Sequence, residues 1–194
     1  QLQGPGLVNW GSANSIQTTF SGDTIGTYSL RLIADDSAIK TFNTLNLSVH
    51  SAWKGWQIAY FGDPNSSSAD ELADPNNNGL QNIFEFAFGG HPTNEGNSAD
   101  ILPKYSLIDN LNESFLSLTY RRRTGNGSGS TTSGYTIDGI TYYVETSNSL
   151  SNFNWLTNSN ELIQVGSPFY NGDGTESVTV RMQEPIDSST NTRG

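Results

Sequence analysis

The sequence predicts a mainly β protein, with two β regions joined by a metal-binding loop and a short helix. Three observations carry this. Charged residues make up only 14% and hydrophobic residues 34% of the 194-residue chain, while Gly, Ser, Thr and Asn are abundant. That profile belongs to turn-rich β proteins. Short runs of alternating apolar and polar residues recur at both ends of the chain. Between them the pattern changes once to helical spacing, directly after a stretch with calcium-loop spacing.

Residues 1–50 form the first β region, with strands predicted over 16–20, 27–34 and 40–49. In the second run Tyr28, Leu30 and Leu32 share a face. In the third, Phe42 falls out of phase with Leu45, Leu47 and Val49, which predicts a bulge. Asp35, Asp36 and Ser37 supply a hairpin turn. Residues 51–62 carry Trp53, Trp56, Ile58 and Tyr60, spaced for a short helix or turn that packs the junction with Phe84 and Phe88. Core packing is preferred over sugar binding for these aromatics.

Residues 51–101 form the junction, and its centre is 74–85, DPNNNGLQNIFE. Asp74, Asn76, Asn78, Asn82 and Glu85 occupy loop positions 1, 3, 5, 9 and 12. Leu80 at position 7 would contribute its backbone carbonyl. A hard cation such as Ca²⁺ takes six to eight oxygens, and this alternation turns them toward one point. Gly79 sits at position 6, where a positive φ is expected. Only Asp74 and Glu85 bring charge, so the expected affinity is in the extracellular range, about 10⁻⁴–10⁻³ M. Leu80, Ile83, Phe84, Ala87 and Phe88 then follow at helical spacing, and Gly89, Gly90 and Pro92 end the helix. Asp63, Asp70 and Glu71 read as a solvated acidic linker in preference to further carboxylates near the calcium. No helical periodicity precedes Asp74, so the stretch is a loop–helix, and it resembles the calcium loops of dockerins and thrombospondin type 3 repeats.

Residues 102–194 form a second β region, a β-sandwich with strands predicted over 105–108, 115–122, 140–146, 162–165 and 177–182. In the second of these, Leu116, Leu118 and Tyr120 are expected to face a core and Ser117 and Thr119 water. Residues 124–134 read as a flexible Gly/Ser loop, and 171–174 as a tight hairpin turn rather than a second calcium site. Arg121, Arg122 and Arg123 read as charges guarding a strand edge, with a patch for an acidic glycan or a neighbouring acidic subunit as the alternative.

The run 26–49, GTYSLRLIADDSAIKTFNTLNLSV, resembles the last two strands of immunoglobulin-like domains of the cadherin and polycystin-repeat kind. The resemblance implies a partial immunoglobulin-like sandwich, with Tyr28 as its tyrosine corner. More widely, DPNNNGLQNIFEFAFGGHPT, LPKYSL, FLSLTYRRR, TYYVETSNSLSNFNW and GTESVTVRM resemble the C-terminal region of large secreted proteins of environmental bacteria. That resemblance implies a bacterial cell-surface or secreted location.

Net charge is −10, which speaks against nucleic acid and anionic membranes as partners. There is no cysteine, hence no disulfide or thiolate site. No apolar run of membrane-spanning length and no signal peptide is seen, so a secreted origin implies a mature or clipped portion. His50 and His91 are the only histidines, and neither sits in a catalytic motif. The chain is therefore expected to be a non-enzymatic, calcium-binding structural or adhesive protein. Half an immunoglobulin-like sandwich leaves an open edge, which predicts a homo-oligomer or filament. The alternative is a glycan-binding or spacer region of a secreted polysaccharide-degrading enzyme.

Overall fold

A computed structural model describes residues 3–12, 17–94, 96, 98–110, 113–147, 155 and 160–186. It is mainly β and divides into two compact units, 1–55 and 56–194. Among the described residues no helix is long and apolar enough to cross a membrane.

In the first unit, β1 (Val8–Trp10) pairs antiparallel with β2 (Phe20–Gly22), and β3 (Gly26–Asp35) with β4 (Lys40–Val49). Of the strand predicted at 16–20 only Phe20 is in a strand, as the first residue of β2; residues 17–19 are not, and Ile16 lies outside the described residues. The expected bulge is absent. The β3–β4 register runs unbroken from Gly26↔Val49 to Asp35↔Lys40. Phe42 is out of phase because it lies on the other face of β4, across from Ile33, under the Arg31 guanidinium at 4.3 Å. Burial follows the alternation only for Tyr28 and Leu30; Leu32 is exposed. At the turn, Asp36 Oδ1 accepts the amides of Ala38 (3.0 Å) and Ile39 (2.7 Å), and Ser37 takes a φ of 75°.

Tyr28 makes the hydrogen bonds of a tyrosine corner. Its buried hydroxyl donates to the Thr24 carbonyl at 2.8 Å and accepts the Thr24 amide at 3.2 Å. The ring lies on Gly22, where a Cβ would stand 2.7 Å from Cζ, so only glycine admits it.

Helix α1 (Ala52–Phe61) realises the aromatic segment. Helix α2 (Asn82–Phe88) follows the loop, and β5 (Lys104–Asn110) and β6 (Glu113–Arg123) open the second β region. Next come β7 (Ser128–Ser130), β8 (Gly134–Ile137) and β9 (Ile140–Tyr142), then β10 (Leu162–Gln164), β11 (Phe169–Tyr170) and β12 (Thr175–Met182). One sheet has the order β10-β12-β6-β5, with β11 also paired to β12; the other is β7-β8-β9. Ile137, Tyr142 and Val144 from the smaller sheet's side share one core with Tyr120, Leu162, Val178 and Val180 of the larger sheet and Ala87 of α2.

Several expectations are corrected here. The Gly/Ser stretch 124–134 is not a free loop: Ser128–Ser130 pairs with β8, and Thr131 is buried. In β6 the two faces do not divide cleanly between core and water. Phe115 and Ser117 are buried while Leu116 is exposed. Arg181 lies 4.1 Å over the Phe115 ring, and the Ser117 hydroxyl donates to the Ser106 carbonyl at 2.9 Å.

The arginine triplet does not offer free charges at an edge: β12 pairs along one side of it and each guanidinium meets its own carboxylate. Arg121 pairs with Asp173 in the 171–174 turn, Arg122 with Glu176 (2.7 Å), and Arg123 with Asp138 (2.8 Å). Burial raises the Asp173 carboxyl, but hydrogen bonds from Thr175 and Arg121 and the charge of Arg121 outweigh it and hold the group below the usual range. Asp173 is thus an ion-pair partner in a hairpin turn, as the turn reading of 171–174 requires.

Tyr142 locks α2 to the sheet. Its hydroxyl donates to the Ala87 carbonyl (2.7 Å) and accepts the Arg123 amide (3.1 Å). Burial pushes this phenol up to about 12, against a smaller lowering by the Arg123 amide. A raised folded-state value favours the neutral phenol, so its contribution is complete below pH 10 and is lost as the pH rises through 12. Wild type is expected to lose stability more steeply than Tyr142→Phe across that window, as measured by denaturant unfolding at stepped alkaline pH.

Candidate metal centre

The loop before α2 is organised by its own side chains. Asp74 Oδ1 accepts the Asn78 amide (3.2 Å) and Oδ2 the Gly79 amide (2.9 Å). Asn76 Oδ1 accepts the Asn78 amide (3.2 Å), and Asn78 Oδ1 the Leu80 amide (2.8 Å). These bonds wrap the backbone around the side chains at positions 1, 3 and 5. Gly79 takes the expected positive φ, 86°, and Asn77 a φ of 56°.

Helix α2 then places Glu85 behind the loop. No side chain caps its N-terminus. Instead the amides of Asn82 and Ile83 donate to the carbonyls of Ala73 (2.8 Å) and Glu71 (3.0 Å), which satisfies two of the donors every helix start exposes. At the other end Gly89 is left-handed, and the Gly90 amide donates to the Glu85 carbonyl at 2.7 Å. The helix is apolar on nearly every side. Phe86 is fully buried, whereas Phe84 is half exposed, so the expected packing of Phe84 against the tryptophans is replaced by Phe86 edge-on to Trp56 at 5.9 Å. Arg123 stacks on the same Phe86 ring at 4.4 Å.

Glu85 is 1% exposed. Its Oε1 accepts from the side-chain amides of Asn78 (2.8 Å) and Asn76 (3.2 Å). Among the described residues its Oε2 has no hydrogen-bond partner. A buried carboxylate oxygen without a partner is costly unless a positive charge meets it. Asn82, three residues earlier and so on the same helix face, is fully buried too. Its amide nitrogen donates to the carbonyls of Ser68 (2.8 Å) and Asp70 (2.7 Å), while its Oδ1, like Glu85 Oε2, is a buried side-chain oxygen with no partner among the described residues.

Asp74, Asn76, Asn78 and Glu85 are therefore brought together by hydrogen bonds. Asn82 is anchored to the preceding segment, and Leu80 is tied in through its amide. Asp63 and Asp70 accept the amides of Asn65 and Leu72 in their own turns. A cavity of about 190 Å³ opens beside Glu85, lined also by Asn78, Gly90, His91 and Asn94. No known protein family, curated protein or solved structure matches this chain.

The donor set defines what could bind. Among the described residues no three His, Cys, Asp or Glu side chains gather as a metal site. This cluster has two carboxylates, and the rest are amide and carbonyl oxygens. It suits a hard, oxygen-seeking divalent cation and not zinc. A half-turn about the terminal bond of Asn76 or Asn78 would bring oxygen to the Glu85 side, at the cost of the bonds their oxygens accept from the Asn78 and Leu80 amides.

Proposed function

We propose that the chain is a non-enzymatic, calcium-stabilised structural or adhesive module of the bacterial cell exterior. Ca²⁺ would be held by Asp74, Asn76, Asn78, the Leu80 carbonyl, Asn82 and Glu85. The observation that carries this is the buried Glu85 carboxylate, with one oxygen unpartnered and the other facing two asparagine amides. The secreted location rests on the resemblance to secreted bacterial C-terminal regions, and the acidic, cysteine-free composition fits it.

A cation that binds only the folded state stabilises it by mass action, about 2.7 kcal/mol at 100 times Kd. Differential scanning calorimetry of the full chain is expected to show the transition of the 56–194 unit rising in saturating calcium, by on the order of 10 °C over chelator. Identical transitions in calcium and chelator would refute the reading.

Self-assembly is a second reading, favoured by the β3–β4 hairpin. Leu32, Ile33, Ile39, Phe42 and Leu45 on it are all more than half exposed. Another copy pairing along such a surface would give an open filament wherever the contact does not close. Light scattering over a concentration series is expected to show growing mass; a constant monomer removes this reading.

A further inference from the structure

We infer that the cation site is closed from a second side by the backbone carbonyls of His91 and Asn94. This rests on the calcium reading above and extends it beyond the 74–85 loop. The side-chain nitrogen of Asn76 lies 2.8 Å from the Asn94 carbonyl, 2.9 Å from the His91 carbonyl and 3.2 Å from Glu85 Oε1. Three acceptors converge on one amide nitrogen. A primary amide has two hydrogens, which serve the His91 and Asn94 carbonyls and leave Glu85 Oε1 to the shorter bond from Asn78. The Asn78 amide adds a further approach to Glu85 Oε1 at 2.8 Å. Oxygens from α2 and from the chain beyond it thus meet at the point where two of the expected ligands direct their positive ends.

A divalent cation would stand in for those donors and also meet the buried Glu85 Oε2, which has no partner among the described residues. It attracts every surrounding oxygen at once, with no fixed number of directions, and Ca²⁺ accepts six to eight. With the amides of Asn76 and Asn78 turned by half a turn, which gives up their bonds from the Asn78 and Leu80 backbone amides, their oxygens would join Glu85 and the two carbonyls around one ion. Carbonyl-rich sets of this size favour Ca²⁺ over Mg²⁺, which keeps a tight octahedron and much of its water.

The fold builds this second side deliberately tight. Gly89 reverses the chain, and a Cβ on Gly90 would lie 3.1 Å from both Cβ and Cγ of Glu85, so the return passes directly across the carboxylate stem. Pro92 is fully buried, and the Tyr60 ring meets the His91 ring edge-on at 4.8 Å. The His91 carbonyl also accepts the Asn94 amide at 3.2 Å, which draws the turn around the same point. Calcium would then clamp the loop before α2 to the turn after it.

The test is a calcium titration of the ¹³C,¹⁵N-labelled full chain, followed by carbonyl-carbon NMR shifts. The Leu80, His91 and Asn94 carbonyl carbons are expected to move together with the Asp74 and Glu85 carboxyl carbons, and the Thr93 carbonyl between them to move far less. Movement of the two carboxyl carbons with His91 and Asn94 unchanged would overturn this inference and leave the calcium reading intact. Calcium-independent spectra throughout would overturn both.

Discussion

Arg122→Ala is expected to destabilise the 56–194 unit by about 3–5 kcal/mol, the cost of breaking a buried ion pair from one side. Arg122 is 5% exposed. Its Nε donates to Glu176 at 2.7 Å, Nη1 to the Thr131 hydroxyl at 3.1 Å, and the guanidinium covers the Tyr135 ring at 3.6 Å. Truncation removes all three contacts and strands the mostly buried Glu176 carboxylate without its partner. The cost comes chiefly from that stranded charge. An Arg122→Met/Glu176→Leu double variant is therefore expected to recover most of the loss. As a contrast, Lys104→Ala breaks an exposed pair with Asp100 at 3.9 Å and is expected to cost less than about 1 kcal/mol. Urea unfolding of the four proteins decides this. An Arg122→Ala cost as small as that of Lys104→Ala would remove the triplet from the framework of the sheet.

Glu85→Gln is expected to change the sign of its effect with calcium. In saturating calcium the variant loses a charged ligand and with it the metal's stabilisation, about 2.7 kcal/mol at 100 times Kd. In chelator the same substitution removes a buried charge whose Oε2 has no partner, while the Gln carbonyl can still accept from Asn76 and Asn78. Burying an unmatched charge costs more than burying a neutral amide. The variant is therefore expected to be at least as stable as wild type in chelator and less stable in calcium. Melting temperatures of both proteins under both conditions form the test. A variant equally destabilised in both would make Glu85 a packing residue with no cation.

Much of the fold is legible in residue patterns, and what is not has physical reasons. The β3–β4 strands and their Asp-rich turn follow from period-two alternation and from residues with strong local preferences, whereas the Tyr28 corner was legible only through the resemblance to immunoglobulin-like strands. Gly79 and Gly89 mark positive φ where the loop turns and the helix stops. The face of α2 was not legible. A seven-residue helix with Ile83, Phe84, Phe86, Ala87 and Phe88 is apolar nearly all round, so periodicity could not prefer Phe86 over Phe84. The roles of Arg121, Arg122 and Arg123 were hidden because their partners, Asp173, Glu176 and Asp138, lie far along the chain. Carbonyls such as those of His91 and Asn94 leave no trace in residue type, since every residue carries one.

The most direct test of a cation centre at Glu85 is a crystal of the full chain grown with a calcium-mimicking lanthanide, with its anomalous scattering mapped. The account predicts one strong peak at about 2.3–2.6 Å from the Glu85 and Asp74 carboxylates, with the Asn76 and Asn78 amides presenting oxygen to it. Density with no peak at Glu85, and the two amides still donating to its carboxylate, would contradict the account.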